Sequence, residues 1–205
     1  MPAAMQGPDG LLVWLIVPVK PLEEGKSRLA PALDAAARAA LSRRWLNALL
    51  ATAQASARFA GIGVVSRDPA VLALATTYGA TAIQEAGDDL NSALEQARRV
   101  AVQAGAEALL VLPSDLPLVT AEDLTTLVTL AATGAGMVIA PSHDGGTNAL
   151  LLRPPNAIPY AFGDESFERH RALAAAAGLP CRVVHSPTLA WDVDSPEDLL
   201  VTGAS

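Results

Sequence analysis

Cysteine and aromatic residues are almost absent from this 205-residue chain. The single cysteine, Cys181, excludes an intrachain disulfide, and a lone thiol fits a reducing compartment, so we expect a cytoplasmic protein. Aromatic residues make up only 4% of the chain, so aliphatic side chains must build most of the core. Positive charge is scarce too. The chain has 14 basic against 21 acidic residues and a net charge of −7, so we expect no nucleic-acid partner.

A long hydrophobic run is also missing. The most apolar segment, residues 11–17, is far shorter than the ~18 residues that indicate a membrane-spanning helix, so we expect no membrane partner. Residues 1–10 are small, polar and rich in Pro and Gly, which predicts a flexible leader. Residues 11–202 are predicted to form a single domain.

Strand-like and helix-like segments alternate along the chain. This alternation predicts an α/β fold with a mostly parallel sheet, in which ligands bind beyond the carboxyl ends of the strands. The predicted strands are residues 11–17, 62–66, 81–83, 108–112, 137–140, 148–153 and 182–185. The predicted helices are residues 35–60, 69–78, 91–104 and 166–177, with two more starting at Thr120 and Ser195. Asn91 is the predicted N-cap of the third helix.

The first predicted strand runs into a cationic loop, KPLEEGKSR, at residues 20–28. Lys20, Lys26, Ser27 and Arg28 offer it donors for a polyphosphate. The segment GKS resembles the end of a Walker A motif, but Lys20 stands where that motif needs its first glycine, which disfavours a P-loop enzyme. The alternative is an exposed charged turn in which the two glutamates of the loop neutralise the lysines.

Three aspartates are candidate metal ligands. Asp115 directly follows a buried strand, and Asp192 and Asp194 lie on the same side of an extended WDVD segment. Carboxylate oxygens suit Mg²⁺, which binds proteins through one or two carboxylates together with substrate phosphates. The alternatives are a turn-forming role for Asp115 and a helix-capping role for either late aspartate.

Two further segments offer groups that bind anions. In the segment PSHDGGTN, two glycines give backbone freedom just before Thr147 and Asn148. In the segment FGDES, Ser166 stands near a predicted helix start, where free amides attract anions. The alternative for both is ordinary turn and cap chemistry. No zinc spacing and no G-x-S-x-G motif is present in the sequence.

Five segments in this order, PVKPLEEGKSRLA, LPSDLPLV, GGTNALLLRPP, FGDESFERH and WDVDSPEDL, resemble the CofC/FbiD guanylyltransferases of coenzyme F420 biosynthesis. The resemblance covers nearly the whole chain. It implies a nucleotidyltransferase domain of the GT-A, Rossmann-like type, a three-layer sandwich around a mixed, mostly parallel sheet. It also implies transfer of GMP from GTP to phosphoenolpyruvate with release of pyrophosphate, and a later F420-pathway transferase as a partner.

The resemblance also implies roles for individual residues. Asp115, Asp192 and Asp194 would bind Mg²⁺, and Thr147, Gly163 and Ser166 would bind the acceptor. From the chemistry of the residues themselves, we predict that Lys26 and Asp115 are catalytic and that Lys20, Ser27, Arg28 and Asn91 bind the nucleotide.

The sequence leaves three alternatives open. The acceptor is 2-phospho-L-lactate or 3-phosphoglycerate in other members of the family. A molybdenum-cofactor-type nucleotidyltransferase is less favoured, because such enzymes carry a loop like LAAGxGxRMG where this chain has VPVKPLEEGKSRL. A nucleotide-binding protein without turnover is the third alternative.

Overall fold

The structure is a computed structural model that describes residues 10–87 and 89–202. Within these residues, strands and helices alternate as predicted. The strands are β1 (Val13–Pro18), β2 (Gly61–Ser66), β3 (Thr81–Gln84), β4 (Ala108–Val111), β5 (Gly136–Pro141), β6 (Thr147–Arg153) and β7 (Cys181–Val183). The helices are α1 (Ala35–Ser56), α2 (Pro69–Thr77), α3 (Leu90–Gln103), α4 (Ala121–Ala132), α5 (Ser166–Ala176) and α6 (Pro196–Thr202), and Ser27–Leu29 forms a 3₁₀ turn. Apart from Gly10, the predicted leader lies outside the described residues.

The strands form one sheet in the order β3-β2-β1-β4-β6-β5-β7. Every neighbouring pair is parallel except that β6 runs antiparallel to both β4 and β5. The prediction of a mixed, mostly parallel sheet is therefore confirmed. Because β6 is reversed, its first residues lie at the edge where β1 and β4 end.

Helices cover both faces of the sheet and make a three-layer sandwich. Along β1, side chains alternate between the faces, as the pleat requires. Leu15 packs in the core shared with α1, α2 and α4, whereas Trp14 and Ile16 pack in the core shared with α3 and α5. A Cβ at Gly61 would lie 2.3 Å from the Trp14 ring, so only glycine lets β2 pass under that indole.

The first residues of the helices can be compared with the capping residues predicted from the sequence. The capping box at α4 is confirmed, since Thr120 and Asp123 exchange the two expected hydrogen bonds. The prediction that Asn91 caps α3 is wrong. Asp89 is the N-cap, because its carboxylate accepts from the backbone N–H groups of Asn91 and Ser92.

No helix among the described residues is both long and apolar enough to cross a membrane.

Candidate active site

The cationic loop and two of the candidate aspartates meet beyond the carboxyl ends of β1 and β4. The Lys26 ammonium forms ion pairs with Asp115 and, at 2.9 Å, with Asp194 Oδ1. Arg28 Nη1 lies 3.7 Å from Asp194 Oδ2. The Val193 N–H donates to the Asp115 carbonyl at 3.2 Å, so the two aspartate-bearing segments are joined through the backbone as well.

The backbone directs Lys26 inward. Lys26 has a φ of 57°, in the left-handed region that is uncommon for residues other than glycine, and the 3₁₀ turn follows it directly. Leu29 of that turn is fully buried in a small cluster with Leu41, Trp45 and Val193. This loop-anchoring cluster ties the cationic loop to α1 and to the segment between the two late aspartates.

Electrostatics favour the charged form of Lys26. Burial alone would lower the pKa of this ammonium, but the carboxylates of Asp115 and Asp194 outweigh burial and hold the pKa above its ordinary value. Lys26 is therefore a permanent positive charge at the centre of the group.

The three predicted metal ligands do come together. One carboxylate oxygen from each of Asp115, Asp192 and Asp194 lies within 4.8 Å of the other two. Asp115 Oδ1 is buried and has no hydrogen-bond partner among the described residues. Burial, and then the charge of Asp115, raise the pKa of Asp192. Lys26 leaves this Asp115 oxygen without a partner, and a buried oxygen beside two further carboxylates can accept a second cation, so the donor set suits a divalent metal ion.

A cavity of about 540 Å³ opens beside Lys26. That volume falls in the range of small-molecule sites. Val65, Leu90 and Ala93 form an apolar part of its wall. Its charged and hydroxyl-bearing lining residues are Lys20, Glu24, Lys26, Ser42, Arg67, Glu85, Ser114, Asp115 and Asp194.

Glu85 is a cavity residue that the sequence analysis did not identify. Its side chain is only 13% exposed, and its Oε2 lies 3.9 Å from Arg67 Nε. Glu85 belongs to no motif and follows the short edge strand β3. Its position directly after a strand is the one signal that could have identified it.

Three of the predicted nucleotide-binding residues lie outside the described lining of this cavity. Ser27 is exposed at the start of the 3₁₀ turn, and the Arg28 side chain is 77% exposed. The Asn91 amide is engaged elsewhere. It donates to the Phe162 carbonyl at 3.1 Å and accepts from the Phe162 N–H at 2.8 Å. Asn91 therefore holds the segment that leads into Gly163.

The predicted acceptor residues form a second group, at the start of the reversed strand β6. Ser166 Oγ donates to Thr147 Oγ1 at 3.1 Å, and both side chains are buried. His170, which is fully buried, lies on the other side of Thr147, with 3.2 Å between Nδ1 and Oγ1. Gly163 is exposed, has a φ of 125°, and would place a Cβ 3.7 Å from Arg169 Nη1.

Asn148 connects the two groups. It follows Thr147 on β6, and its amide donates to Asp192 Oδ1 at 3.1 Å and to the Leu189 carbonyl at 2.9 Å. The side chain of Asn148 is 4% exposed, so these bonds are shielded from water. The hydroxyl pair and the carboxylates thus lie side by side on one edge of the sheet.

The His170 ring beside Thr147 is electrically neutral. Burial, reinforced by the charge of Arg169, lowers the pKa of His170 to about 4, so its ring is neutral near pH 7. Arg169 is exposed, and no carboxylate among residues 10–87 and 89–202 forms an ion pair with it. Arg169 is therefore an available cation next to the predicted acceptor residues, although nothing in the sequence singled it out.

The fold and the site define a nucleotidyltransferase-like protein of the GT-A type. A solved nucleotidyl transferase from Methanothermobacter thermautotrophicus matches 93% of this chain and 95% of its own, with a TM-score of 0.64 at 14% identity. That likeness concerns the fold alone. The chain belongs to the family described as "Guanylyl transferase CofC like", whose model matches residues 13–202.

Curated relatives agree with this family. A phosphoenolpyruvate guanylyltransferase from Rubrobacter xylanophilus is 45% identical over 94% of both chains. One from Chloroflexus aggregans is 42% identical over 92% of this chain and 95% of its own. A more distant relative, a 3-phospho-D-glycerate guanylyltransferase from Colwellia psychrerythraea, is 30% identical over 90% of this chain and 88% of its own.

Proposed function

We propose that this chain is a phosphoenolpyruvate guanylyltransferase, which transfers GMP from GTP to phosphoenolpyruvate and releases pyrophosphate. The observation that carries this proposal is the convergence of Lys26, Asp115 and Asp194 beside a cavity of nucleotide size. The names of the relatives at 42–45% identity support the same acceptor. The product, enolpyruvoyl-diphospho-guanosine, would pass to a later transferase of coenzyme F420 biosynthesis.

The nucleotide half of the site holds the triphosphate. Lys20 and Lys26 line the cavity and would neutralise it, while Ser27 and Arg28 lie on the same loop and would contact its outer end. Asp115, Asp192 and Asp194 would hold Mg²⁺. That ion, when bound, would offset the charge of the phosphates.

The reaction joins two anions. An oxygen of the acceptor phosphate forms a bond to the α-phosphorus of GTP, and the bond from that phosphorus to the bridging oxygen of pyrophosphate breaks. The attacking oxygen is already ionised, so no side chain has to remove a proton from it. Lys26 would stabilise the charge that moves onto the leaving pyrophosphate.

We assign the recognition of the guanine base to Glu85. The Watson–Crick edge of guanine carries two N–H donors side by side, which match the two oxygens of a carboxylate. Adenine presents an acceptor at the ring position where guanine has N1–H. The lone pair of that nitrogen would face the Glu85 oxygens and be repelled by them. Val65, Leu90 and Ala93 supply apolar surface for the flat base in the same cavity.

This assignment makes a testable prediction for Glu85→Gln. The variant should lose about tenfold or more in kcat/KM for GTP, because the carboxamide keeps one acceptor for guanine and turns its own N–H donor toward the second N–H of the base. Activity with ATP should not fall. Unchanged discrimination between the two nucleotides would contradict the role of Glu85, and Glu107→Gln, at an acidic residue outside the described cavity lining, is the control.

The acceptor half is the hydroxyl pair beside Arg169. Thr147, Gly163 and Ser166 would surround the small acid, and Arg169 would offset its negative charge. The alternative acceptors, 2-phospho-L-lactate and 3-phosphoglycerate, differ from phosphoenolpyruvate by small groups. A pocket separates such ligands by only ~1–3 kcal/mol unless a polar group is left unpaired.

The test is an acceptor panel. The protein is incubated with GTP, Mg²⁺ and each of the three phospho-acids, and pyrophosphate release is followed together with the mass of the nucleotide product. We expect the highest kcat/KM with phosphoenolpyruvate. GTP binding without pyrophosphate release from any acid would favour a nucleotide-binding protein without turnover.

A further inference from the structure

A single backbone amide determines the direction of the hydrogen bonds around Thr147. The Ala161 N–H donates to His170 Nε2 at 3.0 Å. A backbone amide can only donate, so Nε2 must be the unprotonated nitrogen of the ring. In a neutral ring the proton then sits on Nδ1, the nitrogen that faces Thr147 Oγ1 at 3.2 Å.

The Thr147 hydroxyl cannot donate to a protonated Nδ1, so it accepts from it. It also accepts from Ser166 Oγ. A hydroxyl oxygen has two lone pairs, and these two bonds use both of them. Within residues 10–87 and 89–202, no group accepts the proton of this hydroxyl. Thr147 is thus prepared to donate one hydrogen bond to a group that enters from outside.

The ring is held in this form by its environment. It is fully buried and contacts the edge of the Phe162 ring, with 4.9 Å between centroids. The groups that face it are the Arg169 guanidinium, which repels a second proton, and the Ser166 carbonyl, which only partly offsets that repulsion. The Asn91 amide fixes Phe162, and so keeps the neighbouring Ala161 N–H in place.

We propose that His170 is a positioning residue that turns the Thr147 hydroxyl proton toward the acceptor. Phosphate and carboxylate oxygens can only accept hydrogen bonds, so an anionic acid needs a donor at this point. A Thr147 hydroxyl turned the other way would present a lone pair to the anion and repel it. This inference rests on the proposed acceptor site, and it adds a residue that does not itself touch the substrate.

Two substitutions separate the positioning role from a packing role. In His170→Asn the side-chain amide reaches the place of Nδ1 and still donates to Thr147, but it gives up the Ala161 bond. In His170→Gln the amide reaches the place of Nε2 and accepts from Ala161, but it gives up Thr147. We expect His170→Gln to raise the KM for phosphoenolpyruvate about tenfold, the effect of one misdirected hydrogen bond. The KM for GTP should stay unchanged in both variants, and His170→Asn should raise the acceptor KM less.

Thr147 variants and an exposed histidine complete the kinetic test. Thr147→Val should raise the acceptor KM as much as His170→Gln does, and the double variant should add nothing further. His185→Gln, at an exposed position, is the control. Equal increases in acceptor KM for the Asn and Gln variants at position 170, or additive effects in the double variant, would overturn the proposal.

A second measurement does not depend on turnover. ¹⁵N NMR of the histidine-labelled protein identifies which ring nitrogen carries the proton. We expect His170, assigned by its loss in His170→Gln, to carry the proton on Nδ1 at pH 7. A proton on Nε2 would overturn the proposal even in an active enzyme. An Nδ1 proton in a protein that releases no pyrophosphate would instead count against the proposed function.

Discussion

At the scale of single residues, Lys26 is the side chain whose removal should change the site most. It is the positive charge that two carboxylates share, and it lies beside the cavity assigned to GTP. Its removal leaves Asp115 and Asp194 without that counter-charge and removes a contact to the triphosphate. The loss of Lys26 should weaken the binding of the nucleotide more than the binding of the acceptor.

We therefore expect Lys26→Ala to raise the KM for GTP by at least about tenfold, the magnitude of one charge-assisted hydrogen bond. The KM for phosphoenolpyruvate should change much less. Initial-rate measurements with each substrate varied in turn test this, with Arg99→Ala, at an exposed cation on α3, as the control. Equal changes in the two constants would contradict the assignment.

His170 should make the stability of the protein depend on pH. Its pKa is about 4 in the folded chain, against an ordinary value of 6.5, so between these values the unfolded chain binds more protons. Stability should therefore rise with pH through that window, by up to about 1.4 kcal/mol per pH unit from this group alone.

Urea unfolding at a series of pH values measures this dependence. The free energy of unfolding of the wild type should fall from pH 6.5 toward pH 4, and that of His170→Gln should fall less steeply. Carboxylates with lowered pKa, such as Asp123, lose their contribution only at still lower pH, so they do not account for a slope in this window. Parallel curves would show that His170 is not held neutral.

At the scale of elements, the start of α4 supports the carboxylate site. The Asp123 carboxylate accepts from Thr120 within the capping box and also from the hydroxyls of Ser186 and Thr188, each at 2.7 Å. The loop that carries these hydroxyls leads to Leu189, whose carbonyl binds Asn148, and then to Asp192. A helix cap thus holds the loop that positions a candidate metal ligand.

The double variant Ser186→Ala, Thr188→Val removes these two bonds and leaves the capping box intact. We expect the Mg²⁺ concentration for half-maximal activity to rise several-fold, because Asp192 is held less rigidly. Global stability should fall by no more than about 3–6 kcal/mol, the sum of two hydrogen bonds to a charged carboxylate. Thr133→Val, which removes a similar hydroxyl bond at the other end of α4, is the matched control. A large loss of stability with an unchanged Mg²⁺ requirement would contradict this role.

The sequence predicts the elements well because their signals are local. Periodicity and caps identify every strand and α-helix of the described chain, with ends displaced by a few residues, whereas the 3₁₀ turn at Ser27–Leu29 lies in a segment predicted as loop. The cap of α3 is misplaced because Asp89 and Asn91 are both good capping residues, and only the backbone conformation decides between them. The reversal of β6 has no local signal, yet it is what brings Thr147 to the edge that holds Asp115.

The candidate site is predicted less completely than the fold. Lys26, Asp115 and Asp194 belong to recognisable motifs, and the structure brings them together. Glu85 belongs to no motif, and His170 closes the FGDESFERH segment without any spacing that indicates its partners, because the contacts of His170 with Thr147 and Ala161 form only in the folded chain. Tertiary packing also explains Asn91, whose amide is engaged by Phe162.

At the scale of the whole molecule, the proposed ligands join parts of the fold that are distant in sequence. The cavity is lined from the segments after β1, β2, β3 and β4 and from α1 and α3, and it also includes Asp194 near the end of the described chain. A ligand bound there interacts with the native state and not with the unfolded chain. Binding should therefore stabilise the whole domain.

We expect GTP with Mg²⁺, at 100 times its dissociation constant, to stabilise the fold by about 2.7 kcal/mol. For a domain of this size that corresponds to a rise in Tm of roughly 5–10 °C. Thermal unfolding with and without ligand measures the shift, and Asp115→Asn should reduce it. A full shift in that variant would show that Asp115 does not take part in binding the nucleotide with its metal.

The loop-anchoring cluster of Leu29, Leu41, Trp45 and Val193, with the ion pairs of Lys26, has a consequence for how the site fills. These contacts order the cationic loop and the late aspartate segment before any ligand arrives. Binding then restricts few additional backbone and side-chain rotations, so little conformational entropy is lost. The enzyme meets its substrates with a largely pre-organised site, and more of the interaction energy remains available for aligning the two phosphates.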